Sequence, residues 1–302
     1  MKIKNLKLKI IFLGSSKFVI PILEILRKNF DLKLVLTTEN PKIQKDTLAS
    51  QGDALRSYPV VKYCVENKIP YRSVSILSNP DLKSLIINLQ SPVAVLADFG
   101  LIIPKKILNA FPLGIINIHP SLLPKYRGPT PVQTAILNGE KITGVSIMKL
   151  DEEIDHGPIL GQEKEEILNT DTSESLYKRL FDKGASLLLK LLPEYLNGSL
   201  EPIPQNHKEA TFTKHLTRQD GFIDVSLISH LSSLILDRMI RAYHPWPGVF
   251  TKLKINNKEL RIKFLPGEKI QVEGKKPMIY KDFINGYPNI KQQLGKLLGQ
   301  LA

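Results

Sequence analysis

Cysteine is almost missing from this chain of 302 residues: Cys64 stands alone, which excludes an intramolecular disulfide and any Cys-x-x-Cys metal clip. That usage suits a reducing cytoplasm. Long apolar runs are missing too; none approaches the ~18–20 residues of a membrane-spanning helix, so no membrane partner is expected. The opening MKIKNLKLKIIFLG has a basic head, but its apolar stretch is too short for a signal peptide and no small-residue cleavage site follows. It reads as a first strand. Gly14 follows that strand in GSSKFV, one glycine where a dinucleotide cradle has three. The chain also lacks a Walker-type lysine loop, a Gly-x-Ser-x-Gly elbow and His-Glu-x-x-His spacing, which leaves nucleotide-dependent dehydrogenases, serine hydrolases and zinc hydrolases without support.

Acidic residues are outnumbered, 29 against 42 basic ones, for a net charge of +13. From Lys214 onward there are 15 basic and 7 acidic residues; the preceding 213 residues hold 27 and 22. The carboxy-terminal part therefore carries most of the excess, a field that favours encounter with polyanions such as nucleic acid. The remaining composition, 42% hydrophobic and 24% charged, is that of a folded globular chain.

The first two thirds alternate strand-like and helix-like segments. Strands are expected at 7–13, 31–37, 70–74, 92–97 and 114–119. Helices fit after the Ser15-Ser16 cap through Phe18, Ile22, Ile25 and Leu26, and at 59–67 and 80–89. Such alternation predicts a doubly wound, mostly parallel, helix-covered sheet. Further β segments at 142–150 and 159–167 precede a helix at about 172–197. Residues 198–213, rich in Gly, Pro and polar side chains, read as a linker. The expected organisation is a catalytic domain over 1–197, that linker, and a basic domain over 214–302. The last holds a helix near 226–242 and the strands GVFTKLKI and ELRIKFL, a reduced β-barrel.

Chemistry concentrates in GIINIHPSLLPKYRG, 114–128. An apolar strand ends in Asn117-Ile118-His119 and is broken by Pro120; alternation puts Asn117 and His119 on one side and Ile118 on the other. The carboxyl end of a strand in an open α/β sheet is where such folds build sites. An amide there can donate to an oxygen that becomes negative, and an imidazole can move a proton. The same two residues would equally serve to close the strand by bonding loop backbone. In KLDEEIDHGPIL, 149–160, Asp155 follows a strand closely enough to reach back toward His119, but Asp151, Glu152 and Glu153 compete with it and spacing does not choose.

Asn117, His119, SLLPKYRG and Asp155 of IDHG together resemble the folate-dependent formyltransferases. The likeness extends to IFLGSSKFV, DFGLIIP at 98–104, Met148-Lys-Leu-Asp151, RAYHPWPG at 241–248, EGKKPM and DFINGY. It implies a Rossmann-like catalytic domain with an OB-like carboxy-terminal barrel. It also implies transfer of the formyl group of 10-formyltetrahydrofolate to the α-amino group of methionyl initiator tRNA in translation initiation, without a metal. The alternative acceptor is a 4-amino sugar on a nucleotide carrier. In the resemblance Asn117 and His119 polarise the formyl oxygen, and Asp155 orients His119 and helps move the proton. Ser121, Leu122, Leu123 and Pro124, with Phe99, Gly100 and Leu101, hold the folate. A tRNA acceptor stem would meet Lys42, Lys45 and Arg56 in the 39–58 loop and Lys252, Lys254, Arg261 and Lys263 near the carboxyl end. The 39–58 loop is longer and less basic than in that family. A monomer is expected.

Overall fold

The computed structural model of the protein describes residues 8–39, 58–224, 232–255 and 258–287. The apolar segments become strands β1 (Lys9–Leu13), β2 (Asp31–Thr38), β3 (Tyr71–Val74), β4 (Val93–Leu96), β5 (Ile115–His119), β6 (Ile142–Lys149) and β7 (Ile159–Glu166). They form one sheet in the order β3-β2-β1-β4-β5-β6-β7. The first five pair in parallel, as the alternation implies, while β6 runs antiparallel to β5. Strands β4 and β5 are buried at every position. A strand enclosed on both faces loses the polar-apolar alternation, which is why these read as near-continuous apolar runs.

Among the described residues the helices are α1 (Ile20–Asn29), α2 (Pro59–Glu66), α3 (Pro80–Leu89), α4 (Lys105–Leu108), α5 (Pro131–Asn138), α6 (Ser173–Leu196), α7 (Ser233–Ala242) and α8 (Tyr280–Gly286). Their starts follow local chemistry. Asn79 Oδ1 accepts from Asp81 N at 2.8 Å ahead of Pro80, and Ser16 Oγ accepts from Phe18 N in the 3₁₀ turn before α1. The expected helix at 80–89 is α3, the one at 172–197 is α6, and the described part of the 226–242 helix is α7. The short α4, α5 and α8 were not anticipated, because one or two turns leave too little periodicity to read.

By contact density the chain divides into two units, each assembled from discontinuous stretches. One comprises Met1–Arg127, Gly144–Glu165 and Lys178–Thr211; the other comprises Gly128–Thr143, Glu166–Tyr177 and Phe212–Ala302. In the first unit, Gly14 has a packing role: a Cβ there would lie 2.6 Å from the Phe12 ring and 2.7 Å from the Ala97 carbonyl oxygen. Gly184 of α6 meets Ile118, whose Cγ2 would stand 2.7 Å from an added Cβ, so the helix backbone lies close on that face of β5. Cys64 is buried, and burial pushes its thiol up to about 12.

The second unit holds α5, α7 and a four-stranded antiparallel sheet of β8 (Val249–Ile255), β9 (Lys258–Leu265), β10 (Lys269–Val272) and β11 (Met278–Ile279). Among the described residues this sheet is the form the expected reduced barrel takes, with one parallel bridge from Phe222 to Phe250. Leu236, Leu253, Ile262, Phe264, Val272 and Phe283 of this unit are buried. Ahead of it, Thr217 and Asp220 form a capping box, and Asp220 also pairs with Lys214.

The Lys214 contact, then the Thr217 backbone and hydroxyl, hold the Asp220 carboxyl down at about 2. The unfolded value is ~3.9, so the depressed group adds stability that is complete above that value and is lost as pH falls toward 2. Asp220→Asn should therefore lower the thermal midpoint at pH 7, with the gap to wild type closing between about pH 4 and pH 2. Calorimetry across that range reads the outcome, and a gap independent of pH would contradict it.

Candidate active site

β5 carries two polar side chains into the sheet interior. Asn117 pairs across the sheet with Leu96 and Met148, His119 with Ser146, and each is only 5% exposed. A buried donor or acceptor without a partner costs about 1–3 kcal/mol, and here the partner comes from the β6–β7 connection. β6 ends level with the start of β5, where Leu150 N donates to Ile115 O. The connection then turns back, bringing Asp155 against both side chains. Asn117 Nδ2 donates to Asp155 Oδ1 at 3.2 Å, and Asp155 Oδ2 lies 3.5 Å from His119 Nδ1.

The other ring nitrogen settles the tautomer. His119 Nε2 is 2.9 Å from the Tyr126 carbonyl oxygen, which can only accept, so Nε2 carries the hydrogen. The neutral ring then turns its Nδ1 lone pair toward Asp155. An imidazolium in the same place has both hydrogens accepted, one by the carboxylate and one by the carbonyl.

Two of the competing carboxylates are engaged elsewhere. Asp151 Oδ2 accepts from His156 Nδ1 at 2.6 Å, and Glu152 pairs with Lys105. His156 stacks on His207, with ring centroids 3.9 Å apart and planes 3° off parallel. Sequence reasoning assigned neither histidine a task, because nothing local links positions so far apart in the chain. Arg127, inside the YRG of the motif and 3% exposed, donates through Nε and Nη2 to Gln205 Oε1 and through Nη2 to His207 Nδ1. Gln205 Nε2 donates to the Asp155 and Gly157 carbonyls.

The turn that carries Asp155 is strained and tight. Asp155 has φ +49, a left-handed conformation that costs a non-glycine residue about 1–3 kcal/mol. Gly157 packs on the Lys149 carbonyl so closely that a Cβ would overlap it.

The 121–124 segment stands on a polar scaffold. Ser121 Oγ donates to Lys125 O, Ser146 Oγ donates to Ser121 O and accepts from Leu123 N, and Gln162 Nε2 donates to Leu123 O and Ser146 Oγ. Ser121 and Leu123 are buried; Leu122 and Pro124 are half-buried, and the Leu123–Pro124 peptide is cis. Phe99 and Leu101 pack on the core beside β4, Gly100 is exposed, and Ile102 is 86% exposed.

Elsewhere, Lys42, Lys45 and Arg56 lie outside the described residues. On the carboxy-terminal sheet, Lys252 stands opposite Arg261, Lys263 opposite Phe250 and Lys254 opposite Glu259, so the four basic residues share one face. Lys252, Lys254 and Lys263 are exposed; Arg261 lies over the Phe250 ring at 4.9 Å, and Lys252 pairs with Glu259 at 2.9 Å. Among the described residues no three metal-binding side chains gather, and no helix is long and apolar enough to cross a membrane.

Residues 8–192 match the family model described as formyl transferase. A methionyl-tRNA formyltransferase of Chloroflexus aurantiacus is 42% identical, over 81% of this chain and 76% of that protein. One from Koribacter versatilis is 36% identical, over 95% of this chain and 99% of that protein. Among solved structures, an N-formyltransferase from Helicobacter canadensis in complex with folinic acid and dTDP-3-aminofucose has a TM-score of 0.63 at 21% identity, covering 87% of this chain and 94% of that one. At that identity the likeness is one of fold.

Because Gly157 cannot move off the Lys149 carbonyl without opening the turn, Gly157→Ala should destabilise the fold by on the order of 2 kcal/mol. Denaturant unfolding measures it; a change below about 0.5 kcal/mol would mean that the turn yields freely.

Proposed function

Because this chain belongs to the formyl transferase family, we infer that it moves the formyl group of 10-formyltetrahydrofolate onto the α-amino group of methionyl initiator tRNA. The observation that carries this reading is the 36% identity to a methionyl-tRNA formyltransferase over 95% of this chain and 99% of the relative. The likeness to a sugar N-formyltransferase, at 21% identity, extends to fold alone. The convergence of Asn117, His119 and Asp155 supports transfer by one fixed donor and one proton acceptor.

In that reaction a neutral amine attacks the formyl carbon, building an alkoxide and an ammonium together. Asn117 Nδ2 spends one hydrogen on Asp155 and offers the other to the alkoxide, as a fixed donor on a buried strand. The ammonium proton passes to the Asp155–His119 pair, either directly or through water. There His119 Nδ1 has a lone pair to receive it and Asp155 to hold it. The proton then goes to N10 of the folate as the carbon–N10 bond breaks. The new carbon–nitrogen bond, the broken one and the transferred proton balance without a redox partner. The 121–124 segment and Phe99–Leu101 form the folate wall in this reading. Lys252, Lys254 and Lys263 supply phosphate contacts to the acceptor stem, with Lys42, Lys45 and Arg56 added from outside the described residues.

Losing a fixed donor to an oxyanion typically costs ~10²–10³ in rate. Asn117→Ala should lose that much kcat with the folate KM nearly unchanged, and near-normal turnover at saturating substrate would remove Asn117 from the assignment. Phosphate contacts release counterions, so the KM for methionyl-tRNA should climb steeply between about 50 and 200 mM salt while the folate KM stays flat. Steady-state assays with each substrate varied in turn separate the two, and an equal response would argue against a basic grip on tRNA.

A further inference from the structure

Gln205 lies in the 198–213 stretch, far in sequence from every residue given a role in the transfer, yet it is only 6% exposed. Its carboxamide serves one turn. Nε2 donates to the Asp155 carbonyl at 2.9 Å and to the Gly157 carbonyl at 2.7 Å, while Oε1 accepts from Arg127 Nε at 3.2 Å and Nη2 at 2.7 Å. Only one orientation of the amide meets these partners, since a guanidinium can only donate and the two carbonyls can only accept. Arg127 thus fixes which way the amide faces, and the amide fixes two carbonyls of the turn. The start of the same turn is tied by Asp151 to His156, which stacks on His207, the second partner of Arg127. A left-handed aspartate persists where its surroundings over-determine it, and this network does so from both ends.

We propose that Gln205 is a positioning residue for formyl transfer, its carboxamide holding the Asp155–Gly157 turn so that the Asp155 carboxylate faces Asn117 and His119. The proposal rests on the reading of that trio as the transfer centre. Gln205 touches no reacting atom; it acts through Asp155.

Gln205→Glu separates the two halves of the amide. It keeps the acceptor toward Arg127, now as an ion pair, and replaces the donor by an oxygen that repels both carbonyls. A displacement of about 1 Å in such a group can cost 10²-fold, so kcat should fall ~10–100-fold. Both KM values should stay within ~3-fold, while the thermal midpoint should fall, because two carbonyls lose their donor. In an Asp155→Asn background the same change should cost less than ~2-fold more, because positioning a carboxylate that is gone has no effect. Fully additive losses, or an unchanged kcat, overturn the proposal. If Gln205→Glu does not fold, Gln205→Asn, one methylene shorter, carries the same test with the same split expected. Hydrogen exchange across residues 149–158 gives a readout that does not depend on turnover: it should quicken in the variant there and not elsewhere. Unchanged exchange overturns the positioning role even if the wild type proves to transfer no formyl group, an outcome that sinks only the functional reading.

Discussion

Two polar side chains on a strand buried at every position are costly to keep unless something polar meets them, and on β5 the Tyr126 carbonyl meets His119 while the Asp155 carboxylate meets Asn117. The geometry around it follows from this requirement. β6 has to run antiparallel to β5, so that the chain leaves the sheet near Ile115 and must double back to rejoin it beside Lys149. The doubling back carries Asp155 over the strand. On the opposite side of β5, Ile118 meets a helix that comes close because residue 184 has no side chain. Asn117 and His119 on one side and the helix-packing Ile118 on the other are consecutive residues of one strand, separated only by the pleat.

Much of this was legible in the sequence. Apolar strands and amphipathic helices in alternation identify the α/β class, and the Asn-Ile-His pattern before a proline places two polar groups on one side of a strand end. Which of four neighbouring carboxylates faces them was not legible. The choice depends on a turn whose shape is set by a left-handed aspartate and by partners distant in the chain, Gln205 among them. Residues 198–213 have no apolar face, so periodicity carries no signal there. A buried glutamine in such a stretch looks like any polar loop residue until its partners are known. The antiparallel placement of β6 was equally hidden, since a strand's composition does not encode its neighbour's direction.

The carboxy-terminal sheet shows how far net charge falls short of a surface. The composition counts Lys252, Arg261 and Lys263 as equal positive charges. In the fold, Lys252 is neutralised in part by Glu259, Arg261 spreads its guanidinium over a phenyl ring, and Lys263 remains exposed. Pairs of this exposed kind are screened and worth little as stability. Their consequence is for which charges meet a polyanion unaccompanied.

The carbonyl that receives the His119 Nε2 hydrogen belongs to Tyr126, a backbone position with φ +60 in the segment following Pro124. The loop thereby decides where the mobile hydrogen of the imidazole resides. A shift of that segment that lengthened the contact would free the ring to exchange its tautomers and turn an N–H toward the carboxylate in place of a lone pair. Backbone posture and the chemical identity of the ring face are in this way a single variable.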